Sequence, residues 1–306
     1  RIIFGKNKII CSRKAIKELV GSGIWNTISN VGNMLITGLD LIICNIFLGA
    51  APMGILSLSK IFANYIQQLS NSITGAFAPE LTINYAKEDK ENMLKSIDTA
   101  MKLTSVIMTI PIALIIVLGK EFFELWVPNQ DSNLLHILAI LSIFGYMFTS
   151  GTQILYNVFQ TVNKVKQNAI AMIITGVVSI IFTILIAKYT KYEIYAVAGV
   201  STICALIKNM VFTLPATAQY LGFKWNIFYK QVVSTIFSSV IIVILGLVII
   251  KLITINSWIT FILSGIIIGT MGLCINILII LNKDERKYIY SIIVCSSIKN
   301  KKKITC

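Results

Sequence analysis

Charge is scarce in this chain. Only 13% of its 306 residues are Asp, Glu, Lys or Arg, about half the share of an ordinary soluble domain. Acidic residues are the scarcer kind, 13 against 27 Lys and Arg. There is one histidine, His136, and the cysteines at 11, 44, 204, 274, 295 and 306 form no CxxC pair. Each shortage excludes something. Without a CxxC pair there is no zinc-ligand spacing and no disulfide framework. No glycine-rich phosphate loop is present, so no nucleotide cofactor is expected. The longest stretch between apolar runs on its side of the chain, 120–132, holds neither His nor Arg, which leaves a loop-borne catalytic centre without its usual groups. The net charge of +14 raises nucleic acid as a partner. Its distribution argues against that, because the cations lie between apolar runs, as orientation signals do.

What is abundant is apolar surface: 56% of the residues are hydrophobic. The apolar runs exceed the ~20 residues that cross a ~30 Å hydrocarbon core. The chain therefore reads as an all-α polytopic membrane bundle with about eight transmembrane helices, near 24–48, 53–78, 102–119, 133–160, 167–187, 193–216, 231–251 and 257–281. With residues 1–23 on the cytoplasmic side, 21 Lys and Arg fall in cytoplasmic segments and 4 in external loops. That asymmetry places both ends in the cytoplasm and the protein in the cell membrane. Lys60 and Lys208 remain inside spans. No signal peptide is visible, and because the chain opens on Arg1 its true N-terminus is expected to lie upstream.

The connecting segments have characters of their own. Residues 12–20 suit a short amphipathic helix against anionic headgroups, or serve only as a positive-inside stop. Residues 80–101 mix both charge signs and read as a surface helix, with Glu80 at a helix end. Phe122, Phe123 and Trp126 suit an interfacial aromatic belt, and Pro111 is placed to kink the third span. His136 reads as an interfacial histidine near the external end of its span, able to titrate. A basic tail, 283–306, is expected to be disordered.

Residues 24–79 organise the rest. They form two spans joined by the turn Gly49-Ala50-Ala51-Pro52. The first carries a stripe of Asn26, Asn30, Asn33, Thr37, Asp40 and Cys44. The second carries Ser57, Lys60, Asn64, Gln67 or Gln68, Asn71 and Gly75. Steps of three and four keep each set on one face. Polar groups facing hydrocarbon are costly, so such faces turn to a bundle interior or a wet cavity. The fourth span repeats the pattern with Ser142, Thr149, Tyr156 and Gln160, the fifth with Asn168, Thr175, Ser179 and Thr183, and the sixth with Ser201, Cys204 and Lys208. The last two spans are nearly all aliphatic. This contrast suggests a six-helix lobe at 24–216 with a lipid-facing accessory pair at 217–282.

Several motifs carry a resemblance. Asn30–Asn33, Gly38-Leu39-Asp40, Phe47-Leu48-Gly49-Ala50, Ser59-Lys60-Ile61 and Ala78-Pro79-Glu80 resemble the seventh and eighth helices of polysaccharide repeat-unit flippases. These form the Wzx-like, O-antigen and capsule branch of the multidrug/oligosaccharidyl-lipid/polysaccharide exporter superfamily. Asn84–Lys90, Lys102, Ile110-Pro111, Leu118-Gly119-Lys120 and the turn within Gln160–Lys166 extend the likeness over nearly the whole chain. The resemblance implies a second six-helix lobe plus a final pair, an N-terminal six-helix lobe lying elsewhere, and a cavity between the two lobes. It implies a lipid-linked oligosaccharide as substrate, with polysaccharide assembly enzymes and membrane lipids as partners. The implied chemistry is binding and alternating access, with no catalytic residue, metal or cofactor.

Within that frame Lys60, Lys208, Asn64, Gln67 and Asn33 are the candidate substrate contacts. Amides hydrogen-bond sugars, and a lysine offers a point charge to diphosphate. Asp40 and Lys60 lie about eight residues either side of the external turn, ~12 Å deep at 1.5 Å per residue. They are a structural ion pair, or a pair that opens for binding or ion coupling. Lys208 snorkels or contacts diphosphate. The polar stripes line a cavity or glue helices together. Rival functions are a drug/cation antiporter or a peptidoglycan-precursor flippase of the same superfamily, and more remotely a membrane polysaccharide polymerase or acyltransferase.

Overall fold

In hydrocarbon every backbone N–H and C=O must be bonded within its own segment, so an apolar run folds as helix. The computed structural model describes residues 13–287, and all regular structure among them is helical. The helices are α1 (Arg13–Thr37), α2 (Asp40–Leu48), α3 (Ala50–Ser59), α4 (Ile61–Ala86), α5 (Lys90–Trp126), α6 (Ser132–Thr149), α7 (Ile154–Thr161), α8 (Val165–Tyr189), α9 (Glu193–Lys208), α10 (Leu214–Tyr220), α11 (Tyr229–Ile250) and α12 (Trp258–Ile279). A 3-10 turn, Ser150–Gln153, joins α6 to α7, and a π-helical turn, Asn209–Thr213, joins α9 to α10.

Among the described residues, seven passages are long and apolar enough to cross a membrane, among them Gly23–Leu48, Ser132–Thr161 and Glu193–Tyr220, each built from two helices in line. The protein is an all-α, multi-pass membrane bundle. The segment α3–α4 is the one expected span outside the seven. It is helical on both sides of a break at Lys60, but Asn64, Gln67, Gln68 and Asn71 make α4 too polar to face lipid all round.

Several boundaries differ from the sequence reading. Helix α1 begins at Arg13, so no separate surface helix occupies 13–20. Helix α5 runs for 37 residues, ~55 Å at 1.5 Å per residue, and absorbs about half of 80–101 and about half of 120–132. Asp89 starts it: Oδ1 accepts the Asn92 backbone N–H at 3.0 Å, and that bond holds the exposed Asp89 carboxyl below the usual carboxylate range. Glu80 lies inside α4, not at its end, and accepts a hydrogen bond from Ser96 Oγ at 2.6 Å. Of the three aromatics expected in an interfacial belt, Trp126 is exposed and Phe123 is not. Phe123 is fully buried, and Phe122 packs edge-on against Phe62 at 5.1 Å and Trp258 at 5.9 Å, tying the same end of α4, α5 and α12 together. The expected disorder of the basic tail falls mostly on 288–306, and much of the N-terminal basic segment on 1–12, both outside the described residues.

Helix α8 lies against α1 in close backbone contact. A Cβ on Gly32 would meet Met172 Cβ at 2.7 Å and the Ile173 backbone nitrogen at 3.0 Å, while one on Gly176 would meet Leu35 Cβ at 2.6 Å. Small residues permit this approach. Gly32→Ala is expected to push the helices apart and destabilise the fold by about 1–3 kcal/mol, read as a lower unfolding temperature in detergent.

The aliphatic pair α11–α12 is not merely a lipid-facing edge. Its outer residues are exposed, but its inner face is polar and docks on α5. Asn276, fully buried, donates to Val106 O at 3.0 Å and Thr109 Oγ1 at 2.8 Å, and accepts from Ser238 Oγ at 2.6 Å. Thr235 adds a bond to Ser105 at 2.9 Å. Asn276→Leu removes three bonds at ~0.6–1 kcal/mol each and is expected to cost about 2 kcal/mol, measurable by the same unfolding assay.

Candidate functional site: a polar cavity inside the helix bundle

The polar stripes converge. Faces of α1, α4, α6, α7 and α9 enclose a cavity of about 340 Å³, with amides and hydroxyls on most sides. Helix α1 contributes Asn26, Asn30 and Asn33, and α4 contributes Asn64, Gln67 and Asn71. The opposite wall is Tyr146, Gln153, Tyr156 and Gln160, with Ser201 and Lys208 from α9. Asn30 and Asn64 are exposed, so this side of the cavity opens at the chain's surface. Helix breaks surround it: Gly38-Leu39 between α1 and α2, Lys60 between α3 and α4, the 3-10 turn, and the π turn. Interrupted helices are tolerated at membrane depth where they are packed in protein or line a cavity, because freed backbone groups find partners there.

Two of those breaks carry the buried ion pair. Asp40 is the first residue of α2, where the helix dipole favours a negative charge. Lys60 is the hinge residue between α3 and α4. Their side chains form a salt bridge, and Ser201 Oγ donates to the same Asp40 oxygen at 3.0 Å. Asp40 is 2% exposed and lies behind Lys60, which itself lines the cavity. The pair therefore ties α2, the α3–α4 break and α9 at one point.

Lys208 differs. It is 7% exposed, lines the cavity, and forms no ion pair with a described residue. Its Nζ donates to Tyr156 Oη at 2.6 Å. Instead of snorkelling to a membrane surface, the side chain turns inward. A buried ammonium without a carboxylate is electrostatically costly, and this one is placed at the cavity wall. Ser29 Oγ on α1 and Asn168 Oδ1 on α8, both cavity-lining residues, are buried without a hydrogen-bond partner.

Of the residues picked from the sequence, Lys60, Lys208, Asn64, Gln67 and Asn33 line this one cavity, and Asp40 does not. Ser179 and Thr183 are buried outside it, and Gln68 is exposed outside it. His136 belongs to the packing: its Nε2 lies 3.1 Å from the Ile115 and Ile116 carbonyls, and its ring sits against Gly119. Asn209 and Asn157 were not anticipated. Asn157 Nδ2 donates to Thr74 O at 2.9 Å, joining α7 to α4. On a regular helix Asn209 points about 100° away from Lys208, and only its place at the start of the π turn marks it out. The described cysteines, Cys44, Cys204 and Cys274, are free thiols.

The described residues thus form a multi-pass helical membrane bundle with a polar cavity among broken helices. Residues 5–130 match the family described as "Polysaccharide biosynthesis protein". The chain is similar to "Uncharacterized membrane protein EpsK" of Bacillus subtilis (strain 168), 24% identical over 279 residues, covering 91% of this chain and 55% of that protein. It thus spans about half the length of the curated relative it matches. No solved structure matches. These comparisons bear out the resemblance to membrane proteins of polysaccharide biosynthesis.

Proposed function

We propose that this chain forms one half of a transporter that moves a polyprenyl-diphosphate-linked oligosaccharide from the cytoplasmic to the external leaflet by alternating access. The observation that carries the reading is the cavity: a membrane bundle that holds a hydrogen-bonding wall together with a cation, Lys208, that has no carboxylate partner among the described residues. Uncatalysed passage would drag sugar hydroxyls and two phosphates through hydrocarbon, at several kcal/mol or more per bare polar group. Asn33, Asn64 and Gln67 replace water around the sugars, and Lys208 faces the diphosphate. The prenyl tail stays in lipid. A further six-helix lobe covers the open side, and the basic segments keep both ends of the chain cytoplasmic.

The test is leaflet transfer. The protein as made in the cell is reconstituted in vesicles with a fluorescent polyprenyl-diphosphate oligosaccharide, and an impermeant quencher reports the exposed leaflet. Transfer well above that of protein-free vesicles supports the reading. Transfer equal to theirs, with correctly inserted protein, sinks it.

A further inference from the structure

The cavity cation is held by a short relay of hydrogen bonds. Lys208 ends α9, and Asn209 opens the π turn that follows. Tyr156 lies on α7, just beyond the 3-10 turn. Lys208 Nζ is 2.6 Å from Tyr156 Oη but 4.6 Å from the ring centroid, so the ammonium sits at the hydroxyl rather than over the ring face. Tyr156 Oη donates its own proton to Asn209 Oδ1 at 2.5 Å. Asn209 Oδ1 also accepts from Thr213 Oγ1 at 3.1 Å, which fixes the side-chain amide. All of these residues except Thr213 line the cavity, and Asn209 is 4% exposed.

The direction of the relay matters. An ammonium only donates, so the tyrosine must accept from it. The tyrosine accepts from Lys208 on a lone pair while its own proton, donated to Asn209, fixes the direction of the hydroxyl. The amide oxygen accepts two bonds and has no capacity to take the ammonium itself. One of the three ammonium protons is thereby spent on a neutral partner, and two remain. A neutral acceptor holds the cation in place without cancelling its charge, whereas Asp40 cancels the charge of Lys60. The two cavity lysines are thus unlike: one is neutralised, and the other is fixed in position with its charge intact.

We propose that Tyr156 and Asn209 are positioning residues that hold the Lys208 ammonium in the cavity as the anchor for a diphosphate. The inference rests on the transport reading for its ligand class. It adds that two neutral side chains, neither of which need touch the ligand, set how well the anchor works. The relay also bridges the two helix irregularities, so the position of the anchor follows the relative position of α7 and the π turn.

The probe is farnesyl diphosphate, with farnesol as the uncharged control, titrated against the protein as made in the cell, in detergent at low and high salt. Binding of the diphosphate is expected to weaken as salt rises, because the contact is charge-dependent, and farnesol binding is not. Lys208→Met is expected to remove the salt-dependent part. Tyr156→Phe keeps the ring and Asn209→Leu keeps the volume, and each is expected to weaken diphosphate binding about fivefold or more while leaving farnesol binding unchanged. Neither is expected to add a further loss to Lys208→Met, since coupled residues are not additive. Tyr156→Phe and Asn209→Leu proteins that bind the diphosphate as the parent does, while Lys208→Met fails, overturn the relay and leave the transport reading standing. Equal losses with and without Lys208 also overturn it, because the two residues then act on their own. A Lys208→Met protein that binds like the parent overturns both the relay and the use of Lys208 as the anchor.

Discussion

Lys208→Met is expected to lower transport of a diphosphate-linked sugar about 10–100-fold while leaving the protein folded. The figure follows from the ~1.5–3 kcal/mol of a hydrogen bond to a charged group. Methionine keeps the length and most of the volume of the lysine stem, so the cavity wall keeps its shape. Lys208 makes no salt bridge with a described residue, so its removal leaves no buried carboxylate unpaired. Only the Tyr156 lone pair loses its donor, and that hydroxyl still donates to Asn209. The substitution is therefore expected to cut function sharply with a small change in unfolding temperature. Leaflet transfer and thermal unfolding, measured on the same preparation, check both halves of the statement. A large loss of stability would show that Lys208 is part of the structural frame and not a free anchor.

The opposite pattern is expected at Asp40 and Lys60. Removing one member of a buried ion pair leaves the other uncompensated, at about 3–5 kcal/mol. The two members are not equivalent. Lys60 lines the cavity and can turn its ammonium to water once Asp40 is gone. Asp40 is nearly sealed from solvent and keeps only the Ser201 hydroxyl once Lys60 is gone. Lys60→Met is thus expected to destabilise more than Asp40→Asn. The double variant is expected to recover part of the Lys60→Met loss, because no bare charge remains. Unfolding temperatures of the three proteins decide it. Equal single losses that simply add would show two independent residues in place of a pair.

The fold was legible in the sequence because its main signal is chemical and coarse. Long apolar runs leave a chain no structure across lipid but helix, and polar residues spaced by three and four mark the inner faces. That is why Asn33, Asn64, Gln67 and Lys208 stand out in the sequence, and why they meet in one cavity. Element ends were harder. Apolarity marks where lipid starts, not where hydrogen bonding stops, so the polar first turns of α5, capped by Asp89, read as a connector. The inner face of α11–α12 was also hidden, since Ser234, Thr235, Ser238 and Asn276 are few among many aliphatics. Their weight comes from the bonds they make between α11, α12 and α5. The relay at Tyr156 and Asn209 depends on the 3-10 and π turns, which re-aim side chains by a fraction of a turn. Period counting assumes the regular helix that those turns interrupt.

The central claim is that the polar cavity is wet in the membrane and holds the headgroup. The most direct measurement places single cysteines at Asn33, Asn64, Gln67 and Lys208, with controls at Phe237 and Ile244 on the exposed face of α11, after the native cysteines are replaced. Membrane-embedded protein is then treated with an impermeant thiol reagent, with and without a polyprenyl-diphosphate oligosaccharide. The cavity positions are expected to label, the controls to stay unlabelled, and the lipid-linked sugar to protect the cavity positions. Folded protein in which the cavity positions stay as unreactive as the controls would contradict the claim and make the stripes a means of holding helices together.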